Sequence, residues 1–325
     1  MRNDAAPSPS HVTAGRTDGL IDPATIMKIK SMELRAKAIV EGFWKGIHRS
    51  PYHGFSVEFT EYRQYTYGDD PRYIDWRVYA RSDRYYLKKF QDETNLRCHL
   101  LLDQSRSMGY RSGGYTKAQY AGTLAATLAC FLFSQGDAVG LATFDDEIRD
   151  YLPPRNRPSY LRRLMLALDA LPLGRATDLG PPLQRLAQIL NRRGLIVLVS
   201  DLLASIDRLE SDLGYLCAGG HDLVVFHVLD PAEMTFDFDA PALFRDLETG
   251  RDLYVDPQAA RQAYQRQFRR HLEDARSICR GLGVDYHLFP TDRPFDAALL
   301  EFLQLRMRRR KRVRHIRSPG GGRVS

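Results

Sequence analysis

Cysteine is scarce in this 325-residue chain. The four present, Cys98, Cys130, Cys217 and Cys279, lie far apart, with no CxxC pair and no His-x-x-x-His companion. That spacing argues against the common zinc frameworks and against a disulfide scaffold, so reduced thiols in a cytoplasmic protein are expected. Long apolar runs are missing as well. The longest, Tyr120 to Phe133, has fourteen residues, too few to cross a bilayer core of ~30 Å, and it reads as a core helix. The opening stretch MRNDAAPSPSHVTAGRTDG has no apolar centre. It therefore lacks the look of a secretory signal, and residues 1–25 are expected to form a disordered leader.

Basic excess is absent from most of the chain despite a net charge of +7. Residues 306–325 hold nine of the 47 Lys/Arg and no Asp/Glu, which leaves 38 basic against 40 acidic residues elsewhere. A basic disordered tail over residues 304–325 could engage nucleic acid or anionic lipid, or could simply aid solubility. No stacking platform or groove-reading element accompanies it.

The length suits one principal domain with attachments. From residue 98 onward, apolar strands alternate with amphipathic stretches such as Ser205 to Leu216. The strands are expected at His99–Leu102, Ala138–Phe144, Leu195–Ser200, Leu223–Leu229 and Val284–Phe289. Such alternation predicts an α/β fold, a mostly parallel Rossmann-like sheet with helices on both faces, over residues 96–303. Leu243 to Val255 reads as a hairpin turning at Thr249 and Gly250. Residues 26–95 are expected to add an N-terminal helix and a small β-rich attachment. Its aromatics interleave with Arg63, Asp69, Asp70, Arg72, Asp75, Arg77 and Arg81, which suit either a docking surface or an ion-pair network pinning the attachment to the main domain. His227, inside an apolar strand, is expected to be a hydrogen-bonded core residue.

The stretch RCHLLLDQSRSMG puts Asp103 where an apolar strand leaves the sheet. A carboxylate there needs a charge partner or a metal. In extended backbone, Asp103, Ser105 and Ser107 face one way. These are three hard oxygen donors suited to a divalent cation. A second apolar strand, GLIVLVSD, also ends in an acid, Asp201, and the loop GRATDLGPPL supplies Thr177 and Asp178 before a helix starting near Pro181. Helix capping by the serines, or by Asp178, is the alternative use of these side chains.

Asp103, Ser105, Ser107, Thr177 and Asp201 together resemble the metal-ion-dependent adhesion site of von Willebrand factor A domains. That resemblance implies Mg²⁺ (or Mn²⁺) held directly by the serines, directly or through water by Thr177, and partly through water by the acids. The preceding segment, with Arg63 to Tyr65, Gly68 to Asp70 and Ile74 to Trp76, is similar to the bacterial family known as domain of unknown function fifty-eight. This second resemblance implies partnership with a MoxR-type AAA+ ATPase in chaperone-like or complex-maturation work.

The expected function is thus a non-catalytic, metal-dependent protein interaction module. Asp178, Arg106 and Met108 are candidate contacts to the partner. The competing expectation is a magnesium-dependent phosphoesterase or nuclease using Asp103, Asp178 and Asp201. Ser105 stands where a haloacid-dehalogenase-type phosphatase wants an acid, which weighs against that variant.

Overall fold

A computed structural model describes residues 22–49, 62–64, 79, 86–88, 96–169, 174, 178–246 and 250–304. Its centre is β3 (Arg97–Asp103), in which every residue from Cys98 to Asp103 is buried. A strand so apolar can sit only where both faces are covered. It pairs in parallel with β4 (Ala138–Phe144) on one side and β6 (Leu195–Ser200) on the other. Beyond β6 come β7 (Asp222–Leu229) and β10 (Asp285–Pro290), both parallel. With β5 (Ile148–Arg155) at the far edge, the six-stranded order is β10-β7-β6-β3-β4-β5.

Alternation along the strands separates two cores. Leu100, Leu102, Val197 and Val199 face one cluster, while Leu101, Ile196 and Leu198 face the other. The first cluster is covered by α3 (Lys117–Ser134), α4 (Pro158–Asp169), α2 (Met32–Arg49), α1 (Pro23–Met27) and α9 (residues 295–304). The second lies under α5 (Gly180–Ile189), α6 (Ile206–Ala218) and α8 (Pro257–Gly281). The apolar run around Tyr120 is the middle of α3. This helix is sandwiched between the sheet and α2, and a capping box of Thr116 and Gln119 starts it. On α2, Trp44 stacks on Phe131 at 5.7 Å and Phe43 meets the same ring edge-on at 6.2 Å.

One strand departs from the expected pattern. β5 (Ile148–Arg155) runs antiparallel to β4 at the sheet edge. Its sequence, IRDYLPPR, is polar and ends in two prolines, so it lacks the look of a core strand; an edge strand tolerates proline because one side needs no ladder donors. Gly140 makes the close approach possible, since a Cβ there would meet Leu152 O at 2.7 Å and Pro154 N at 2.8 Å.

The expected hairpin is β8 (Ala242–Arg245) with β9 (Asp252–Val255), closed by an Arg245–Asp252 ion pair at 2.7 Å. It follows the short α7 (Pro231–Thr235). Residues 23–25, expected within a disordered leader, are helical, and Asp22 caps the helix. Of the expected β-rich attachment, the antiparallel pair β1 (Tyr62–Gln64) and β2 (Tyr86–Lys88) is described. Asp69, Asp70, Arg72, Asp75, Arg77 and Arg81 lie outside the described residues, as does the tail from residue 305.

Candidate metal centre

Asp103 is the last residue of β3, and Gln104 N–H still reaches Phe144 O at 2.7 Å. The chain then bends. Ser105 N–H donates to Asp103 Oδ1 at 2.9 Å, and a 3₁₀ turn over Arg106–Gly109 folds Ser107 back, so that the Ser105 and Ser107 hydroxyl oxygens stand 2.9 Å apart. Convergence of the three side chains is therefore achieved by a turn and not by extended backbone, which would have carried Ser107 away from the sheet.

Asp201 approaches from the neighbouring strand end. Ser200 Oγ donates to Asp103 Oδ2 at 2.5 Å and accepts from Leu202 N–H at 3.0 Å, tying β6 to β3. Leu202 adopts φ 48°, a left-handed conformation costing about 1–2 kcal/mol for a non-glycine residue. The turn that follows lets Leu203 N–H reach Asp201 Oδ1 at 3.2 Å. His227 supports the same turn. Its Nε2 lies 2.7 Å from Asp201 O, so it must donate, and Nδ1 then accepts from Tyr286 OH at 2.7 Å. Burial lowers the His227 pKa to about 4, consistent with this neutral tautomer and with the core role expected for it.

The Ser107 hydroxyl also bonds to the Asp201 carboxylate. Asp103, Ser105, Ser107 and Asp201 are thus brought together, and all four are buried. A lysine that the sequence reading passed over completes the network. Lys117 Nζ lies 2.9 Å from Asp201 Oδ2 and 2.6 Å from Glu233 Oε1, with its side chain fully buried. Burial opposes its charge, but the two carboxylates outweigh burial and raise its pKa. A signal existed: a lysine in the first turn of an apolar helix is opposed by the helix dipole and needs an anionic partner.

The two acids differ because of that lysine. Burial and the neighbouring Asp201 charge push Asp103 up to about 7. Asp201 is equally buried, yet the Lys117 ammonium holds its carboxyl below the usual range. Among the described residues, no cation pairs with Asp103 as Lys117 pairs with Asp201.

Other expected contributors are placed differently. Thr177 lies outside the described residues. Three residues before it in sequence, Gly174 N–H donates to Gln104 O at 2.7 Å, and a Cβ on Gly174 would collide with Asp145 at 2.2 Å. Asp178 is half-exposed, accepts from Gly180 N–H at 3.2 Å and pairs with Arg208 at 3.4 Å, while the N-cap residue of α5 is Leu179. Arg106 is exposed, but Met108 is wholly buried in the core and cannot meet a partner. Its apolar side chain fills the space under the 3₁₀ turn.

The acid trio of the phosphoesterase reading does not assemble. Among the described residues, no three His, Cys, Asp or Glu form a metal-holding group. More strands end in acids than the sequence reading counted, since Asp145 follows β4 and Asp230 follows β7. Both are engaged: Asp145 with Arg149, and Asp230 with Ser112 and the first turn of α7.

The donor set fits a hard divalent cation. Two hydroxyl oxygens already in contact, beside a carboxylate whose pKa is raised by burial and by the neighbouring Asp201 charge, form a neighbourhood that a cation would relieve. Asp201 would contribute with its charge already partly offset by Lys117.

The strand order and single antiparallel edge strand make this a von Willebrand factor A-like fold. An uncharacterized protein of Mycobacterium tuberculosis is 26% identical over 313 residues, 95% of this chain and 98% of its own. Among solved structures, an aerotolerance-related membrane protein from Bacteroides fragilis matches at 16% identity and TM-score 0.41, over 64% of this chain and 97% of its own. The SpRpn10 VWA domain matches at 14% identity and TM-score 0.37, over 71% of this chain and 99% of its own. The family model described as protein of unknown function DUF58 matches residues 61–274, and the chain belongs to that family.

Proposed function

We propose that the protein is a metal-dependent protein interaction module whose contact is made at the Asp103 centre. The observation that carries this reading is the meeting of the Ser105 and Ser107 hydroxyls, 2.9 Å apart, between Asp103 and Asp201. Ser105, Ser107 and Asp103 would hold Mg²⁺ or Mn²⁺, with Asp201 and Thr177 completing the shell directly or through water. Neutral hydroxyl donors leave a divalent ion much of its charge, so it can accept a carboxylate from a partner. Lys117 strengthens that logic, because it offsets part of the local negative charge before any metal arrives. Exposed Arg106, beside the site, is suited to the rim of the contact.

The partner proposed is a MoxR-type AAA+ ATPase or a client presented with it, in chaperone-like or complex-maturation work in the cytoplasm. Support comes from the family's association with such ATPases. Among the described residues no helix is long and apolar enough to cross a membrane. Catalysis is not part of the proposal, since the acids at the sheet edge other than Asp103 are already paired.

Calorimetry with MgCl₂ and MnCl₂ tests the metal. One ion per chain should bind, and Ser105→Ala with Ser107→Ala should abolish binding while the fold survives. Recovery of the ATPase with this chain should fall with EDTA and with the same double variant, and should persist when residues 306–325 are removed. Recovery indifferent to EDTA but lost with the tail would replace the metal-centred contact by an electrostatic tether.

A further inference from the structure

At the opposite end of the sheet from the Asp103 centre, Arg97, Gly136, Ala138, Pro154, Arg155, Asn156 and Arg157 line a cavity of about 590 Å³. The topology assembles it. Arg97 begins β3 opposite Ala138, which begins β4, while Val139 pairs with Arg155 at the end of the antiparallel β5. Six residue steps along β3 lead from Arg97 to Asp103, so the two sites lie roughly 20 Å apart at ~3.3 Å per residue.

We infer that this cavity binds a phosphoryl group, through the guanidinium groups of Arg97, Arg155 and Arg157. None of the three makes an ion pair with a described residue, unlike the arginines at 149, 208, 245, 261 and 293. No acid is among the lining residues. The nearest in sequence, Asp137, is buried and turned to Leu96 N–H at 3.1 Å. Three exposed arginines thus line one concavity with no acid beside them, and a polyanion would offset their like charge.

The walls are partly fixed in advance. Asn156 Nδ2 donates to Gly136 O at 2.7 Å, and the Arg155 guanidinium lies 5.8 Å from the centre of the Tyr160 ring. Tyr160 is itself anchored by its hydroxyl to Pro153 O. The twelve-residue α4 starts immediately after Arg157 with no acid in its first turn, so its positive dipole end adds to the field. Planar guanidinium forks match the several acceptor oxygens of a phosphoryl group, whereas one carboxylate would occupy one fork. The volume suits a phosphorylated small molecule of nucleotide size, and a lipid phosphate offers the same chemistry.

The test is titration of the full chain with inorganic pyrophosphate, set beside co-sedimentation with phosphatidylcholine vesicles containing phosphatidic acid. Arg155→Gln with Arg157→Gln is the variant. It changes exposed side chains and keeps the basic tail, and its melting temperature should match the native one. A soluble ligand predicts one pyrophosphate site per chain whose affinity falls tenfold or more in the variant. A lipid headgroup predicts no pyrophosphate binding but vesicle binding that the variant loses. If neither probe binds, or if binding is unchanged in the variant, the arginines do not form a site, and any anion affinity belongs to the tail.

Discussion

Lys117 Nζ bridges Asp201 and Glu233 at 2.9 and 2.6 Å, from a side chain with no solvent exposure. It joins three elements distant in sequence: the start of α3, the end of β6 and the short α7. Removing one member of a buried ion pair typically costs about 3–5 kcal/mol, because the remaining charge is stranded. Asp201→Ala would strand the Lys117 ammonium on that side. The serine double variant is the cleaner probe of the metal for this reason.

Lys117→Met should lower stability by about 3–5 kcal/mol in the presence of EDTA. The variant frees the full charge of Asp201, so added Mg²⁺ should raise its melting temperature more than it raises that of the native protein, following the usual linkage of ligand binding to stability. Melting curves with and without MgCl₂ measure both effects. Equal metal-induced shifts in the two proteins would show that Lys117 does not set the charge felt by the ion.

Ser200→Ala removes the hydroxyl that joins Asp103 Oδ2 to Leu202 N–H. Both partners are buried, so a loss of about 1–3 kcal/mol is expected. Asp103 also loses the contact that fixes its orientation. Magnesium affinity measured by calorimetry should weaken although Ser200 is not among the proposed ligands. Unaltered affinity would mean that the Ser105 amide alone holds Asp103 in place.

How much of this was visible in the sequence depends on the range of the interaction. Ala138–Phe144 and Leu195–Ser200 have the bounds that their apolar runs suggest, because a strand buried on both faces is marked by its own composition. β5 carries no such mark, since its place is set by the free edge of β4 and by Gly140. The acids ending β3 and β6 are visible as breaks in apolar runs. Their partners are not: Lys117 lies 84 residues from Asp201 and Ser200 lies 97 from Asp103, distances that only the folded sheet closes. Met108 reads as an accessible neighbour of the serines, but the 3₁₀ turn points it into the core.

His99 should make stability depend on pH. Burial, with His221 and Arg97 nearby, lowers its pKa from 6.5 to about 4. In the unfolded chain it takes up a proton near pH 6.5, while in the folded chain it stays neutral until about pH 4. Its contribution is therefore complete above pH 6.5 and is lost as pH falls toward 4, by on the order of 3 kcal/mol at most. Urea midpoints at pH 7.5 and 5 should differ less for His99→Leu than for the native protein, with the residual dependence left to His227 and Asp103. Parallel pH dependences would show that His99 is protonated in the fold.

Phe43 tests whether the N-terminal helix belongs to the main core. It is buried, and its ring meets Trp44 at 5.9 Å and Phe131 of α3 at 6.2 Å. About two turns earlier on α2, the buried Arg35 donates to Ile29 O and to Thr123 Oγ1 on α3, so polar and apolar contacts tie the same two helices. Phe43→Ala should cost about 3–5 kcal/mol, the range for deleting a large ring from a packed core. Because α2 shares its cluster with Leu100 and Leu102 of the central strand, the loss should appear as a lower urea midpoint of one cooperative transition. A separate early transition, with the main midpoint unmoved, would instead make α2 an independently melting attachment.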